Sequence, residues 1–176
     1  GLYLFHERAR QKTTLVTAWG LYPRLIAAGF DPAMAAGLDF NIAFDQVQET
    51  DNIALFGNAT YRLTDRLSVD VGARYTHEKK EFDQSAMRIF AQVPLIPGKG
   101  RYQLNESWTN FSPKVSVNYE FNEEVRGYAI ISQGFRSGGF NGRPTSVEGI
   151  GSFDPEILTS YELGLKSTLF DRTVLL

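Results

Sequence analysis

The feature that most constrains this chain is a two-residue alternation that runs about twice as long as the ~5–6 residues of an ordinary globular strand. From Asp51 to Leu63, one face carries Ile53, Leu55, Gly57, Ala59, Tyr61 and Leu63, and the other Asn52, Asn58, Thr60 and Arg62. A polar turn, Thr64-Asp65-Arg66, follows. Beyond it Leu67, Val69, Val71, Ala73 and Tyr75 oppose Ser68, Asp70, Gly72 and Arg74. Two alternating stretches joined by a short polar turn predict a hairpin. The unit returns from Trp108 to Phe121. There Phe111, Pro113, Val115, Val117, Tyr119 and Phe121 oppose Asn110, Ser112, Lys114, Ser116, Asn118 and Glu120. The turn Asn122-Glu123-Glu124 leads into Val125 to Phe135, where Ile130-Ile131 blurs the pattern. A third unit sets Tyr161, Leu163, Leu165 and Leu169 against Glu162, Gly164, Lys166 and Thr168, with a turn at Asp171-Arg172 and another strand opening after it. Leu2 to Arg8 reads as one more strand, for about seven in all.

Long connections alternate with the short turns, over roughly residues 9–48, 77–106 and 137–157, punctuated by Pro23, Pro32, Pro94, Pro97 and several glycines. Within the first, Pro23 and the pair Asp31-Pro32 are predicted helix starts.

Strands this long are enough to cross a bilayer at a tilt, for which ~9–11 residues suffice. Alternating short and long connections match the short periplasmic turns and long extracellular loops of outer-membrane barrels. Aromatics fringe the apolar face at Tyr61, Tyr75, Tyr119, Phe121 and Phe135, as in the girdles of such barrels. A Lys or Arg turned to lipid at mid-depth costs about 2–4 kcal/mol. The cation-bearing face is therefore expected to line a wet lumen, and its expected members are Arg62, Arg74, Lys114, Glu120, Glu162 and Lys166. A soluble sandwich would turn the same apolar face inward, and alternation alone does not separate the two. Strand length and loop asymmetry favour the membrane.

Composition excludes other classes. The longest apolar patch, Leu15 to Phe30, is broken by Pro23 and Arg24, so no helix of ~18 apolar residues spans a membrane. The chain has no cysteine, which removes disulfides, thiol nucleophiles and thiolate metal sites. A net charge of -2 gives no pull toward nucleic acid. Gly1 stands where an initiator Met would be, and the sequence stops within the apolar run Val174-Leu175-Leu176. An internal piece is the expectation, since about seven strands fall short of the usual minimum of ~8 for a closed bacterial barrel.

Several segments resemble the TonB-dependent outer-membrane receptors. They are Ala54 to Leu67, Val71 to Glu78, Phe111-Ser112-Pro113-Lys114, Ser132 to Asn141, and Tyr161 to Ser167. Each is weak alone, but their order and spacing match that family from about residue 41 onward. The resemblance implies a 22-stranded antiparallel transmembrane barrel with an N-terminal plug, energised through the TonB complex. Residues 1–176 would then be a fragment of the barrel domain, with the plug, the TonB box and the C-terminal strands outside it. It also implies the Gram-negative outer membrane, contact with its lipid, and a scarce nutrient as ligand, foremost a ferric siderophore or another iron complex.

The glycine-rich run Gly134 to Pro144 lacks the Lys-Ser/Thr ending of a phosphate cradle. Its glycines are expected to let a strand bend into a loop. Arg136, Asn141 and Arg143 are candidate ligand-binding residues at the mouth, the two arginines as fixed cations for an anionic ligand. His6 and His77 are the only histidines, too few for a metal site, and no metal or cofactor is expected. Ser132, Ser137 and Ser160 lack the context of an activated nucleophile, so no catalytic residue is assigned and the chain is not read as an enzyme. Trp19, Tyr22, Phe90, Tyr102 and Trp108 could stack on a ligand or simply pack the loops. The rival readings are a passive porin-like channel, a barrel enzyme and a soluble β-sheet binding protein.

Overall fold

The computed structural model describes residues 1–169 and 174–175. The turn expected at Asp171-Arg172 lies outside the described residues. In chain order the elements are β1 (Leu2–Leu15), α1 (Leu21–Ala27), α2 (Pro32–Gly37), β2 (Ile42–Arg62), β3 (Leu67–Arg88), β4 (Arg101–Glu120), β5 (Val125–Arg136), β6 (Gly139–Phe140), β7 (Ser152–Phe153), β8 (Glu156–Leu169) and β9 (Val174–Leu175). Seven form one antiparallel sheet in the order β1-β2-β3-β4-β5-β8-β9, and β6 with β7 makes a small ribbon inside a loop. Every strand of the large sheet pairs with its neighbour in sequence, as in the wall of an up-and-down barrel.

The tight turns have a local chemical cause. Thr64 Oγ1 accepts the amides of Arg66 (3.2 Å) and Leu67 (3.0 Å). Asn122 Oδ1 does the same for Glu124 (2.9 Å) and Val125 (2.8 Å). In each turn one short polar side chain satisfies two amides that no strand partner can reach.

The strands are much longer than alternation alone predicted. β2 has 21 residues, β3 22 and β4 20. The connections expected at 9–48, 77–106 and 137–157 shrink to 16–41, 89–100 and 137–155. Segments 9–15, 42–50, 76–88 and 101–107 are ladder-paired strand although polar residues crowd both their faces. Apart from Ile42, Phe44, Phe82 and Ala86, which are buried on one face, the side chains there are mostly polar, so the lipid-type alternation that marks a spanning strand disappears while the pairing continues. The helix expected at Pro23 starts two residues earlier, after Gly20, whose φ of 78° suits glycine. Asp31 caps α2 as expected, accepting from Ala33 and Met34 with Pro32 in the first turn.

Register aligns the apolar residues into continuous rows. Leu2, Leu55, Tyr75 and Phe111 form one row; Ala59, Val71, Val115, Ile131 and Tyr161 form another. This face is bare: Leu163 is 86% exposed, and Leu55, Val71 and Phe111 are also open. Among the described residues no second layer covers it. From Leu63 to Ile53 the band spans ten residue steps, about 33 Å of strand, or about 25 Å of height at a ~40° tilt. That is the height of a transmembrane barrel's lipid-facing band. The fold is a partial antiparallel transmembrane barrel.

A core does exist, but above that band. Ile42, Phe44, Ala86, Leu95 and Ile96 are buried together, with Ile150 packed on them. Pairing of β4 with β5 stops at Lys114 and Ser132, beside Pro113, which has no N–H to extend the ladder. Above that point the 137–155 connection leaves the strand line and folds over the upper sheet.

Candidate functional site

The upper sheet presents, on the face opposite the apolar band, a surface onto which the 137–155 loop is docked. Glu78 and Lys80 lie two residues apart on β3 and so on the same face. They form an ion pair at 3.1 Å with only 14–15% of either side chain exposed. Lys80 Nζ also donates to Ser137 Oγ (2.7 Å) and to the Gly138 carbonyl (2.8 Å). Glu78 accepts from the Ser137 hydroxyl and from Asn52 Nδ2. Higher up, Gln46 and Gln84 both donate to the Gly142 carbonyl, Gln84 at 2.9 Å. Phe140 stacks on Phe82 at 5.5 Å between centroids and tilts against Trp108 at 6.1 Å.

This packing revises the expected role of the glycines. None of Gly134, Gly138, Gly139 and Gly142 has positive φ. Gly138 and Gly139 are needed for close approach. A Cβ on Gly138 would run into the Phe153 carbonyl and come within 2.6 Å of the Trp108 ring, and one on Gly139 would meet the Phe153 ring at 2.7 Å.

A second clamp joins the 16–41 and 89–100 connections. Asp39 is fully buried. Its carboxylate accepts from the amides of Phe90 (2.8 Å), Ala91 (3.0 Å) and Asn41 (3.2 Å) and from Asn41 Nδ2 (3.1 Å). Burial pushes the Asp39 carboxyl up. The donors from Ala91, Asn41 and Phe90 outweigh it together, holding the group below the usual carboxylate range. Trp19 packs edge-on against Phe90 at 4.8 Å, so these two rings serve loop packing.

The three mouth candidates have different surroundings. Arg136, at the top of β5, faces Glu156 across the ladder at 3.6 Å, both side chains well exposed. Asn141 organises the loop: its Nδ2 donates to the Gly149 carbonyl (2.9 Å) and its Oδ1 accepts from the Arg143 amide (3.1 Å). Arg143 is exposed beside it.

Arg62, Arg74, Lys114, Glu120, Glu162 and Lys166 all fall on the polar face, opposite the apolar rows. Tyr128 lies across Gly164, donates to Glu162 Oε1 (2.7 Å) and sits under Lys166 Nζ at 5.3 Å. Asp70 accepts from Thr60, from Ser116 (2.8 Å) and from Asn118 (2.7 Å). Arg62 and Glu120 border a cleft of about 400 Å³ near the turns. Sequence reading missed the loop latch of Glu78 and Lys80, and it missed the rings that interrupt the polar face, Tyr3 and Phe56. Phe56 had a visible signal: it occupies the polar register of β2, two residues from Asn58. Among the described residues no group of three or more His, Asp or Glu side chains is placed to hold a metal ion.

An open antiparallel sheet with a bare apolar band, a hydrogen-bonded polar face and loops folded over one end matches a known family along almost its whole length. The family described as "TonB dependent receptor-like, beta-barrel" matches residues 6–176. The chain belongs to the TonB-dependent receptor-like β-barrel family. Its relatives include the pesticin receptors of Yersinia enterocolitica, 26% identical over 97% of this chain, and of Yersinia pestis, 25% identical over the same share. The crystal structure of the ferric yersiniabactin uptake receptor FyuA from Yersinia pestis is similar in fold, with a TM-score of 0.71 at 18% identity over 94% of this chain. The chain spans about a fifth of these relatives' length, 22% in each case. The family is one of transport receptors of the Gram-negative outer membrane, not of enzymes.

Proposed function

We propose that this chain forms part of the wall and mouth of an outer-membrane active-transport receptor for a scarce nutrient, a ferric siderophore or a related iron complex. The family match over residues 6–176 carries the reading. The structural neighbour FyuA is a ferric yersiniabactin uptake receptor, which supports the choice of ligand class. In this reading the apolar band contacts outer-membrane lipid. The polar face, with Arg62, Arg74, Lys114, Glu120, Glu162 and Lys166, lines the lumen, and the turns at 63–66 and 121–124 face the periplasm. The docked loops form the mouth, where Arg136, Asn141 and Arg143 meet the ligand. A plug and its contact with the TonB complex belong to other parts of the protein and supply the energy-dependent release.

The test uses the full-length protein in an iron-starved Gram-negative host. Uptake of radiolabelled iron(III) chelates is expected to depend on the protein and to stop when the inner-membrane proton gradient is collapsed. Uptake that survives collapse would make the protein a passive channel, and recovery of the protein from the soluble periplasm would remove the reading altogether.

A further inference from the structure

Two glutamines interrupt the apolar packing of the cap. Gln46 and Gln84 face each other directly across β2 and β3. The neighbouring rungs on the same face hold Phe44 with Ala86 and Gln48 with Phe82, and Phe44, Ala86 and Phe82 are buried. Gln84 is fully buried too, and among the described residues its Oε1 has no hydrogen-bond partner. A buried oxygen left without a donor costs free energy that an apolar side chain of similar size would not. Packing alone therefore gives no reason for an amide at this position. What the two glutamines share is their target. Both Nε2 atoms donate to the Gly142 carbonyl, that of Gln84 at 2.9 Å, and so engage both lone pairs of one oxygen.

That carbonyl belongs to the peptide bond leading into Arg143, whose backbone is held from three directions. The two glutamines fix the peptide before it. Its own amide donates to Asn141 Oδ1 at 3.1 Å. The residue after it, Pro144, is buried, and a following proline restricts Arg143 to extended backbone. A Cβ on Gly142 would come within 3.1 Å of the Gln46 amide nitrogen, so a side chain there would press on the clamp. The Arg143 side chain itself is exposed. A solvated arginine gains nothing from such support, whereas one that must meet a ligand in a set direction does.

We propose that Gln46 and Gln84 are positioning residues for Arg143: by holding the Gly142 carbonyl they set the direction in which the Arg143 side chain leaves the loop, and present its charge to an anionic chelate already ordered. The proposal rests on the transport reading above and adds to it how one part of the mouth is preorganised.

The experiment has two arms, both on full-length receptor in outer-membrane vesicles, with heat-modifiable migration as the check that the barrel is folded. The first needs no ligand. A nitroxide spin label on Arg143→Cys, in a background without other cysteines, should give a motionally restricted spectrum. Adding Gln84→Leu or Gln46→Leu should raise its mobility severalfold, while a label on Asn105→Cys, on the outer face of β4, should not respond. The second arm measures binding of an iron(III) tris-catecholate, an anionic chelate, in a double-mutant cycle. Gln84→Leu should weaken binding roughly fivefold when Arg143 is present and less than about twofold in Arg143→Ala, where nothing is left to position. Gln46→Leu, at the less buried of the two sites, should give the same pattern and decides the matter if Gln84→Leu does not fold. An unchanged Arg143→Cys label spectrum in the folded glutamine variants overturns the inference. So does an equal loss of affinity in both backgrounds, which would assign the glutamines to packing of the cap. Arg143→Ala that binds as wild type overturns the reading of Arg143 as a ligand cation, and the positioning role with it. Failure of wild type to bind any iron chelate overturns the transport reading, and the label arm still decides whether the glutamines hold the turn.

Discussion

β2 and β3 pass through two environments without a change in backbone period. Around Leu55 to Tyr61, the outward side chains are apolar and bare, and the inward ones are Phe56, Asn58 and Thr60, the last donating to Asp70. Around Phe44 to Asp51 the polarity reverses. Phe44 and Phe82 turn inward and are buried, while the outward face carries ion pairs: Arg10 with Asp45 at 2.6 Å, Arg8 with Glu49 at 3.1 Å and His6 beside Asp51 at 2.7 Å. The outer register of β2 changes from Asp51 to Ile53 in a single step. A strand whose hydrophobic phase inverts while its ladder continues marks a change of solvent. Below the step the apolar face is bare; above it loops close a small core.

The sharpest way to break this division is to place one new charge on the outer face at two depths. Val71 lies near the middle of the apolar band, and Asn105 lies on the same face of the upper sheet. Val71→Arg is expected to destabilise the full-length protein in lipid by about 2–4 kcal/mol. Asn105→Arg should stay within about 0.5 kcal/mol, as an exposed change in water does. Equilibrium unfolding in urea reads both. Equal costs at the two sites would erase the boundary drawn at Ile53.

A smaller effect separates the cap from the wall beneath it. Gly138→Ala puts a methyl group into the Phe153 carbonyl and the Trp108 ring. Overpacking of this kind costs about 1–3 kcal/mol, and here the loop can escape by undocking. The expected result is faster proteolysis within 137–155 and altered Trp108 fluorescence, with unfolding of the wall unchanged. Loss of wall stability as well would mean that the two regions are one cooperative unit.

The same division explains what could be read from the sequence. Strands were legible where one face is apolar and the other polar, because Leu55, Val71 or Val115 then alternate with Thr60, Asp70 or Ser116. They were illegible at 42–50 and 76–88, where Glu49, Thr50, Lys79 and Lys80 put polar groups on both faces and the few buried apolar residues, such as Phe44 and Phe82, are too sparse to show a period. Lumen candidates such as Arg74 and Glu162 could be placed on a face by parity. Their partners depend on register between strands, which no single strand encodes. Asn141 was noticed for its place in a glycine-rich run. That it holds the loop through Gly149 and Arg143 depends on a fold eight residues wide that has no short motif.

The cap's own clamp is open to titration. Asp39 is held below its ordinary range in the folded cap, so its ionised form contributes stability above the unfolded value of about 3.9, and that contribution is lost as pH falls through the lower folded value. Hydrogen exchange at the Asn41, Phe90 and Ala91 amides should therefore be slow at neutral pH and rise steeply only below about pH 4. Asp39→Asn should reproduce the acid behaviour at neutral pH. It replaces a charged acceptor by a neutral one, for about 1 kcal/mol of local stability. Exchange at amides of the Ala59–Val71 rows should not respond to either change. A wall that loosened together with the clamp would again join the two regions.

The smallest expected change in stability carries the clearest functional content. Arg143 is exposed, and its backbone amide rather than its side chain is bonded to Asn141. Arg143→Ala removes no contact that holds the loop, so stability should move by less than about 0.5 kcal/mol, and the barrel should insert normally. If Arg143 is one of the cations that meets the ligand, affinity for an anionic iron chelate should fall severalfold, and the fall should shrink as salt is raised, because an exposed charge is screened within about 8–10 Å at moderate ionic strength. Asn141→Ala supplies the contrast. It leaves the charge but removes both loop bonds, so its effect on binding should accompany faster proteolysis of 137–155 and should persist at high salt. Arg143→Ala with unchanged affinity in a folded receptor would remove that residue from the binding mouth and leave Arg136 as its remaining arginine.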